Sequence, residues 1–333
     1  MSELRLNRAT KEWIILATDR ARRPNQFLVK SDKEKPPPYD ANCPFCPGNE
    51  KQTPPEVYAL RKKGSRPNQP GWRIRVVTNK YPALDPAVKM EKIAGEFFKT
   101  ASGLGKHEVI IETPQHDKNF ATLISKQSEE VCLVCWRRYL ALEKDRRIKL
   151  IMIFRNHGVS AGTSLKHPHI QLIALPLVPA NIRHLLEEAM RYYDDHGSCV
   201  FCDMMKEELE AEKRIVLENE SFVAFHPFAS QSPFETWIVP KKHNACFGNV
   251  TEDEVKSMAL VLRGVLKTMH DKLGDPDYNL IFRTAPIKDA QEDYYHWYIQ
   301  ILPRLTTPAG FELGSGVYIN TSLPEETAKF MRR

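Results

Sequence analysis

Asn156-His-Gly-Val-Ser-Ala-Gly-Thr-Ser-Leu-Lys-His-Pro-His-Ile-Gln-Leu-Ile-Ala-Leu-Pro176 runs a Gly- and Ser-rich turn into an extended segment. His167, His169 and Gln171 recur there with period two, which predicts one shared strand face, while Pro168, Ile170 and Leu172 face the other way. Two imidazoles and an amide so placed can meet one ligand. The turn ahead of them offers hydroxyls and backbone N–H groups at Gly158, Ser160, Gly162, Thr163 and Ser164, the donors that cradle a phosphate. A solvent-facing edge strand shows the same alternation, but such alternation rarely follows a Gly/Ser turn. A histidine ring that is largely neutral at physiological pH is a competent nucleophile at phosphorus, and His169 is the candidate.

The parts around this stretch occur twice. Cys43-Pro-Phe-Cys46 matches Cys199-Val-Phe-Cys202, and the strand end Ile111-Glu-Thr-Pro-Gln-His116 matches Trp237-Ile-Val-Pro-Lys-Lys-His243 with a one-residue slip. A long helical pattern follows in both copies. His167-Pro-His-Ile-Gln171 then matches His296-Trp-Tyr-Ile-Gln300. Two cysteines and two histidines recur per copy, so Cys43, Cys46, His116 and His167 form one predicted tetrahedral zinc site, and Cys199, Cys202, His243 and His296 the second. Four protein ligands leave no open position, which makes both metals structural. Cys246 is a rival to His243. The copies differ at one telling place: Tyr298 stands where His169 stands, so only one copy keeps the nucleophile.

The 333 residues, 42% of them hydrophobic, suffice for a substantial core in two domains or one large one. The duplication divides them at 1–180 and 181–333. No apolar run reaches the length of a membrane span, and Trp13 to Ala17 is too brief and too ringed by charge for a signal peptide. The expectation is a cytoplasmic protein without a membrane partner. The net charge of +6 suits anionic metabolites without excluding nucleic acid. In such a compartment C-x-x-C pairs favour metal or redox roles over structural disulfides. Cys132 and Cys135 are the exception, since they lie at helical spacing among Val131, Leu133, Val134 and Trp136 and read as core.

Alternation predicts strands over Trp13–Ala17, Trp72–Val77, from His107, over Lys149–Phe154, Ile215–His226, Pro233–Lys242, Tyr278–Arg283 and Tyr294–Pro303. Helical periodicity predicts Gln127–Arg147, Asn181–Asp194 and a helix opened by the capping box Thr251-Glu-Asp-Glu254 and stopped by Gly274.

In the Cys43-Pro-Phe-Cys46 knuckle and the run Asn156 to Gln171, and from Trp13-Ile-Ile-Leu to Pro324-Glu-Glu-Thr-Ala, the chain resembles the galactose-1-phosphate uridylyltransferase family of the histidine-triad superfamily. The resemblance implies an α+β fold of two fused histidine-triad-like halves, each an antiparallel half-barrel with helices outside, paired as a homodimer. It implies that His169 accepts a nucleoside monophosphate from a nucleotide sugar and passes it to a phosphate or sugar phosphate, that His167 binds zinc, and that its carbonyl holds the His169 ring. Gln171 stands where hydrolases of the superfamily carry a third histidine. An amide cannot act as a general acid or base, so the intermediate waits for a second phosphate. Asn156 and Ser164 match phosphate contacts, Arg20 and Arg23 a paired-arginine motif near the nucleotide sugar, and Asn79 a nucleotide contact.

The family's C-terminal stretch ends in a glutamine that contacts the hexose, whereas Gly310-Phe-Glu-Leu-Gly-Ser-Gly-Val-Tyr-Ile-Asn320 contains none. With both knuckles, that segment resembles an ADP-glucose phosphorylase-like branch. Uridylyl transfer from UDP-glucose to a hexose 1-phosphate stands first because it names the family. Adenylyl transfer from ADP-glucose or adenylylsulfate is the alternative. A zinc-knuckle nucleic-acid-binding module fits poorly, since Cys46 and Cys132 are too far apart for a ribbon site, and no nucleic-acid partner is expected.

Overall fold

The structure is a computed structural model that describes residues 2–17, 24–28, 36–89, 91–94 and 97–332. Arg20 and Arg23 lie outside the described residues.

Strands β1 (Glu3–Leu6) and β2 (Trp13–Leu16) open the chain as an antiparallel pair. There follow β3 (Glu56–Arg61), β4 (Trp72–Thr78), the small ribbon β5 (Lys92–Ala94) with β6 (Lys99–Ala101), β7 (Lys106–Ile111), helix α1 (Ser125–Leu142), β8 (Leu150–His157) and β9 (His169–Leu175). Helices α2 (Ala180–His196) and α3 (Val200–Ala211) lead to β10 (Ile215–Glu218), β11 (Phe222–Phe225) and β12 (Thr236–Pro240). Helix α4 (Glu252–Leu273), β13 (Tyr278–Arg283) and β14 (Tyr298–Pro303) complete the second set, before α5 (Gly310–Ser315), β15 (Tyr318–Asn320) and α6 (Pro324–Arg332).

The duplication seen in the sequence is a duplication of sheet topology. One ten-stranded sheet has the order β10-β11-β12-β14-β13-β8-β9-β7-β4-β3. Its two five-stranded halves repeat the same order outward from a shared seam, where β8 and β13 pair antiparallel with Asn156 opposite Asn279. In each half one long helix, α1 or α4, falls between the third and fourth strands. The fold is α+β, of two fused halves that share one antiparallel topology.

Helices α1 and α4 cover one face of this sheet. Ile110, Ile170, Leu172 and Ala174 from the first half and Ile238, Leu280, Ile299 and Ile301 from the second share a buried cluster with Val131, Val134, Val255, Leu262 and Leu266 of the helices. Each fully buried aliphatic side chain there contributes about 1.5–3 kcal/mol. Cys132 and Cys135 belong to the same cluster, and burial pushes both thiols well above their ordinary range, as the core reading expects. The Thr251 capping box is formed, with Glu254 N donating to Thr251 Oγ1 at 3.2 Å and Thr251 N to Glu254 Oε2 at 2.7 Å. Because side chains alternate along a strand, His169 and Gln171 fall on the opposite face from the helices.

One expected strand is two. Ile215–His226 breaks at Asn219, whose Oδ1 accepts from Ser221 N at 3.0 Å and Phe222 N at 2.8 Å, a turn that an asparagine side chain favours and that makes the run a hairpin.

Candidate functional site

Cys43, Cys46, His116 and His167 converge in the first half, their four ligand atoms all within 4.8 Å of one another and all four residues buried. Cys46 Sγ lies 3.5 Å from His116 Nδ1 and 3.6 Å from His167 Nδ1, and Cys43 Sγ lies 3.7 Å from His167 Nδ1. His167 Nε2 donates to the Thr113 carbonyl at 2.7 Å, so the proton sits on Nε2 and the Nδ1 lone pair faces the thiols. Burial pushes the His167 ring down to about 4, which keeps that lone pair available. Two thiols and two imidazoles are a donor set for a soft or borderline cation.

The second half repeats the arrangement around Cys199, Cys202 and His243, whose ligand atoms also lie within 4.8 Å of one another. His296 approaches with Nδ1 3.7 Å from Cys202 Sγ and 3.4 Å from His243 Nδ1. Its Nε2 donates to the Pro240 carbonyl at 2.9 Å, as His167 does to Thr113. Both accepting carbonyls sit three residues ahead of the cluster histidine, which explains the slip in the sequence match: the histidines are equivalent and the prolines are not. Asn244 N also donates to His296 Nδ1 at 3.3 Å, so the lone pair is shared and the cluster is looser than the first. Cys246 is no rival to His243. It is buried in the helix-side core with Sγ 3.1 Å from Tyr139 Oη.

Of the three polar residues expected on one strand face, His169 and Gln171 share it. His167 precedes β9 and is taken up by the cysteine cluster. His169 Nδ1 donates to the His167 carbonyl at 2.9 Å, which leaves the lone pair on Nε2. Burial, opposed by that bond, holds the His169 ring below the ordinary histidine range, hence neutral at physiological pH. Phe45, between the two knuckle cysteines, packs edge-on against His169 with ring centroids 5.4 Å apart. The cysteine–histidine cluster therefore braces the candidate nucleophile from two sides, through the His167 carbonyl and through Phe45.

The Gly/Ser turn is a less open cradle than its composition predicts. Ser160 N donates to Asp277 Oδ2 at 2.8 Å, Gly162 N to Val159 O at 2.9 Å and Thr163 N to Gly158 O at 3.3 Å, so these amides are used within the chain. Gly158 is required there: its φ is +84°, and a Cβ would stand 1.9 Å from Asp277 Oδ1. Ser164 is exposed beyond the turn. Asn156 Oδ1 accepts from Asn279 Nδ2 at 2.8 Å across the seam, and Asn79 Nδ2 lies 3.1 Å from His107 Nε2.

Several residues near this face gave no signal in the sequence. Arg155 and Glu112 form a buried ion pair, Nε to Oε1 2.7 Å, with Arg155 Nη1 donating to Tyr278 Oη at 2.7 Å. Burial opposes the Arg155 charge, and Glu112 more than offsets it, holding the guanidinium above its ordinary value. His107, read only as the start of a strand, lies beside Gln171. In the second half the position of His169 is filled by Tyr298, stacked on Trp237 with centroids 4.2 Å apart. A cavity of about 460 Å³ opens beside it, between Arg283, Gln300 and the C-terminal residues Glu312 and Tyr318.

Residues 1–179 match the family described as galactose-1-phosphate uridyl transferase, N-terminal domain, and residues 186–309 match the corresponding C-terminal domain. An ADP-glucose phosphorylase of Arabidopsis thaliana is 36% identical over 99% of this chain and 92% of its own length. A galactose-1-phosphate uridylyltransferase of Thermotoga maritima is 31% identical over 100% of this chain and 98% of its own. The solved structure of an Arabidopsis thaliana ADP-glucose phosphorylase with bound ADP-glucose superposes with a TM-score of 0.82 at 31% identity, covering 100% of this chain and 98% of that one. With both halves matched by the family's two domains and a solved relative superposing along the whole chain, the protein belongs to the galactose-1-phosphate uridyl transferase family and is a nucleotidyltransferase.

Proposed function

We propose that the protein moves a nucleoside monophosphate from a nucleotide sugar to a phosphate acceptor through a covalent intermediate on His169 Nε2. The observation that carries this reading is the bond from His169 Nδ1 to the His167 carbonyl, which fixes the tautomer with its lone pair outward. Nε2 attacks the α-phosphorus, and the bond to the departing sugar phosphate breaks. That leaving group is already an anion, with a second pKa of about 6, and needs no acid to protonate it. An oxygen of the incoming phosphate then attacks the same phosphorus and frees the ring. Gln171 donates to a non-bridging oxygen but has no proton to exchange, so water is not activated.

Asn79, Asn156 and Ser164, with Arg20 and Arg23, are the proposed substrate contacts, since phosphoryl transfer depends on positioning and charge stabilisation. We assign zinc to both cysteine–histidine clusters because mixed thiolate and imidazole donors suit it, with the first cluster closed by four protein ligands and His296 as fourth ligand of the second. In this reading the chain divides into units at 1–180 and 181–333 and works as a homodimer.

For the transferred group, adenylyl stands ahead of uridylyl. The 36% identity to a phosphorylase of ADP-glucose exceeds the 31% identity to a uridylyltransferase, and the segment 310–320 lacks the glutamine expected of a hexose-1-phosphate uridylyltransferase. The test compares turnover of ADP-glucose with phosphate against UDP-glucose with galactose 1-phosphate. Preference for the first pair supports the adenylyl reading, and preference for the second restores the uridylyl one. Nucleic-acid binding without turnover of either donor would defeat both.

A further inference from the structure

We infer that His107 is a positioning residue for Gln171, holding the amide so that its NH2 group faces the phosphoryl group on His169; the inference rests on the proposed transfer. Val109 of β7 lies directly opposite Gln171 of β9, which sets His107 on the same sheet face as His169 and Gln171. His107 Nε2 is 2.8 Å from Gln171 Oε1. On its other side Nδ1 receives the Ala83 backbone N–H at 3.4 Å. A backbone N–H can only donate, so Nδ1 accepts, the proton sits on Nε2, and the ring donates to the Gln171 carbonyl oxygen. Asn79 Nδ2 lies 3.1 Å from the same ring nitrogen and, with its Oδ1 accepting from Tyr81 N at 2.9 Å, is a donor only, so it is no partner for the Nε2 proton, which goes to the nearer Gln171 Oε1.

The orientation matters because a glutamine can present either end of its amide. The nitrogen end stabilises the charge that develops on a phosphoryl oxygen, and the oxygen end opposes it. Gln171 Nε2 meets no hydrogen-bond acceptor among the described residues, so that end is left for a substrate.

The second half supplies the contrast. Trp237 is opposite Gln300 as Val109 is opposite Gln171, so Glu235 holds the place of His107. Glu235 Oε1 takes up the Gln300 Nε2 donor at 2.8 Å, while Arg283 Nε and Nη2 occupy Gln300 Oε1 at 3.0 and 2.8 Å. Both ends of that amide are spent inside the chain, in the half that has no nucleophile. A histidine in one half and a glutamate in the other thus distinguish an amide available to substrate from one that is sealed.

A cycle of substitutions in the full-length, metal-loaded protein tests this, measured as steady-state transfer from ADP-glucose and from UDP-glucose. Gln171→Leu is expected to lower kcat by about 10²-fold, the loss of one donor to developing charge. His107→Leu lowers kcat by about tenfold or more with little change in KM, and the double variant is no slower than Gln171→Leu alone. His107→Gln, which restores an N–H donor, recovers most of the rate. His107→Glu, which copies the second half, loses as much as Gln171→Leu and serves where His107→Leu does not fold. Losses that multiply in the double variant, or a change confined to KM, overturn the inference. If Gln171→Leu slows transfer and none of the His107 variants does, this inference alone falls. If Gln171→Leu transfers at the full rate, the role proposed for Gln171 falls with it.

Discussion

The backbone carbonyl of His167 accepts a hydrogen bond from Nδ1 of His169 at 2.9 Å, while the His167 ring faces two cysteines. One residue thereby joins a metal-type cluster to the candidate nucleophile two positions later. The consequences of that coupling are measurable.

Loss of the first cluster should remove both metal and chemistry. Metal analysis is expected to find about two ions per chain, falling to about one in Cys43→Ser and about one in Cys199→Ser, because each change breaks a different set. Both variants should unfold at lower temperature. Cys43→Ser should lose transfer almost completely, and Cys199→Ser should retain far more at a temperature where it is folded. Equal loss of transfer in the two would contradict the coupling.

Phe45 supplies the second brace on the His169 ring. Phe45→Leu keeps an apolar side chain in the knuckle but releases the ring edge, so transfer should slow about tenfold, as small displacements of a reacting group do, while both metals remain. A variant with unchanged kcat would show that the carbonyl bond alone fixes the ring.

The Glu112–Arg155 pair lies in the interior behind this face, 1% and 2% exposed. Glu112→Gln leaves a buried guanidinium without its counter-charge and should cost about 3–5 kcal/mol of stability. Replacing both partners, Glu112→Gln with Arg155→Met, should cost less than the first change alone, since no uncompensated charge remains. Chemical denaturation of the two variants decides this, and additive losses would count against it.

His226 gives a pH dependence outside the cysteine–histidine clusters. It is fully buried, Nδ1 bonds to Thr327 Oγ1 at 2.7 Å beneath α6, and burial pushes its pKa down to about 3. Below an unfolded value of about 6.5 the unfolded chain binds a proton that the folded chain refuses, so stability falls as the pH drops from there towards 3, by at most about 1.4 kcal/mol per pH unit. His226→Leu should flatten the slope of unfolding free energy against pH over that interval. An unchanged slope would remove His226 from the account.

The repeat of cysteine pair, histidine, long helix and histidine was legible because it recurs along the chain at matching order, and the topology repeats it strand for strand. The asymmetry of His169 against Tyr298 was legible for the same reason. What could not be read are contacts fixed by register between strands far apart in sequence. His107 and Gln171 are 64 positions apart and meet only because Val109 pairs with Gln171. How open the phosphate cradle is cannot be read either, since glycine and serine content does not reveal that Asp277, more than a hundred residues on, already occupies the Ser160 amide. Likewise Ile215–His226 looks like one strand until the Asn219 side chain is seen to turn it.

The covalent intermediate on His169 is tested most directly by weighing the intact chain after incubation with ADP-glucose or UDP-glucose in the absence of an acceptor, quenched without acid. The expected result is a mass increase of one nucleotidyl group, a nucleoside monophosphate less one water, in the wild type, discharged by adding phosphate or sugar phosphate and absent from His169→Asn. No adduct with either donor, or an adduct that persists in His169→Asn, would contradict the account.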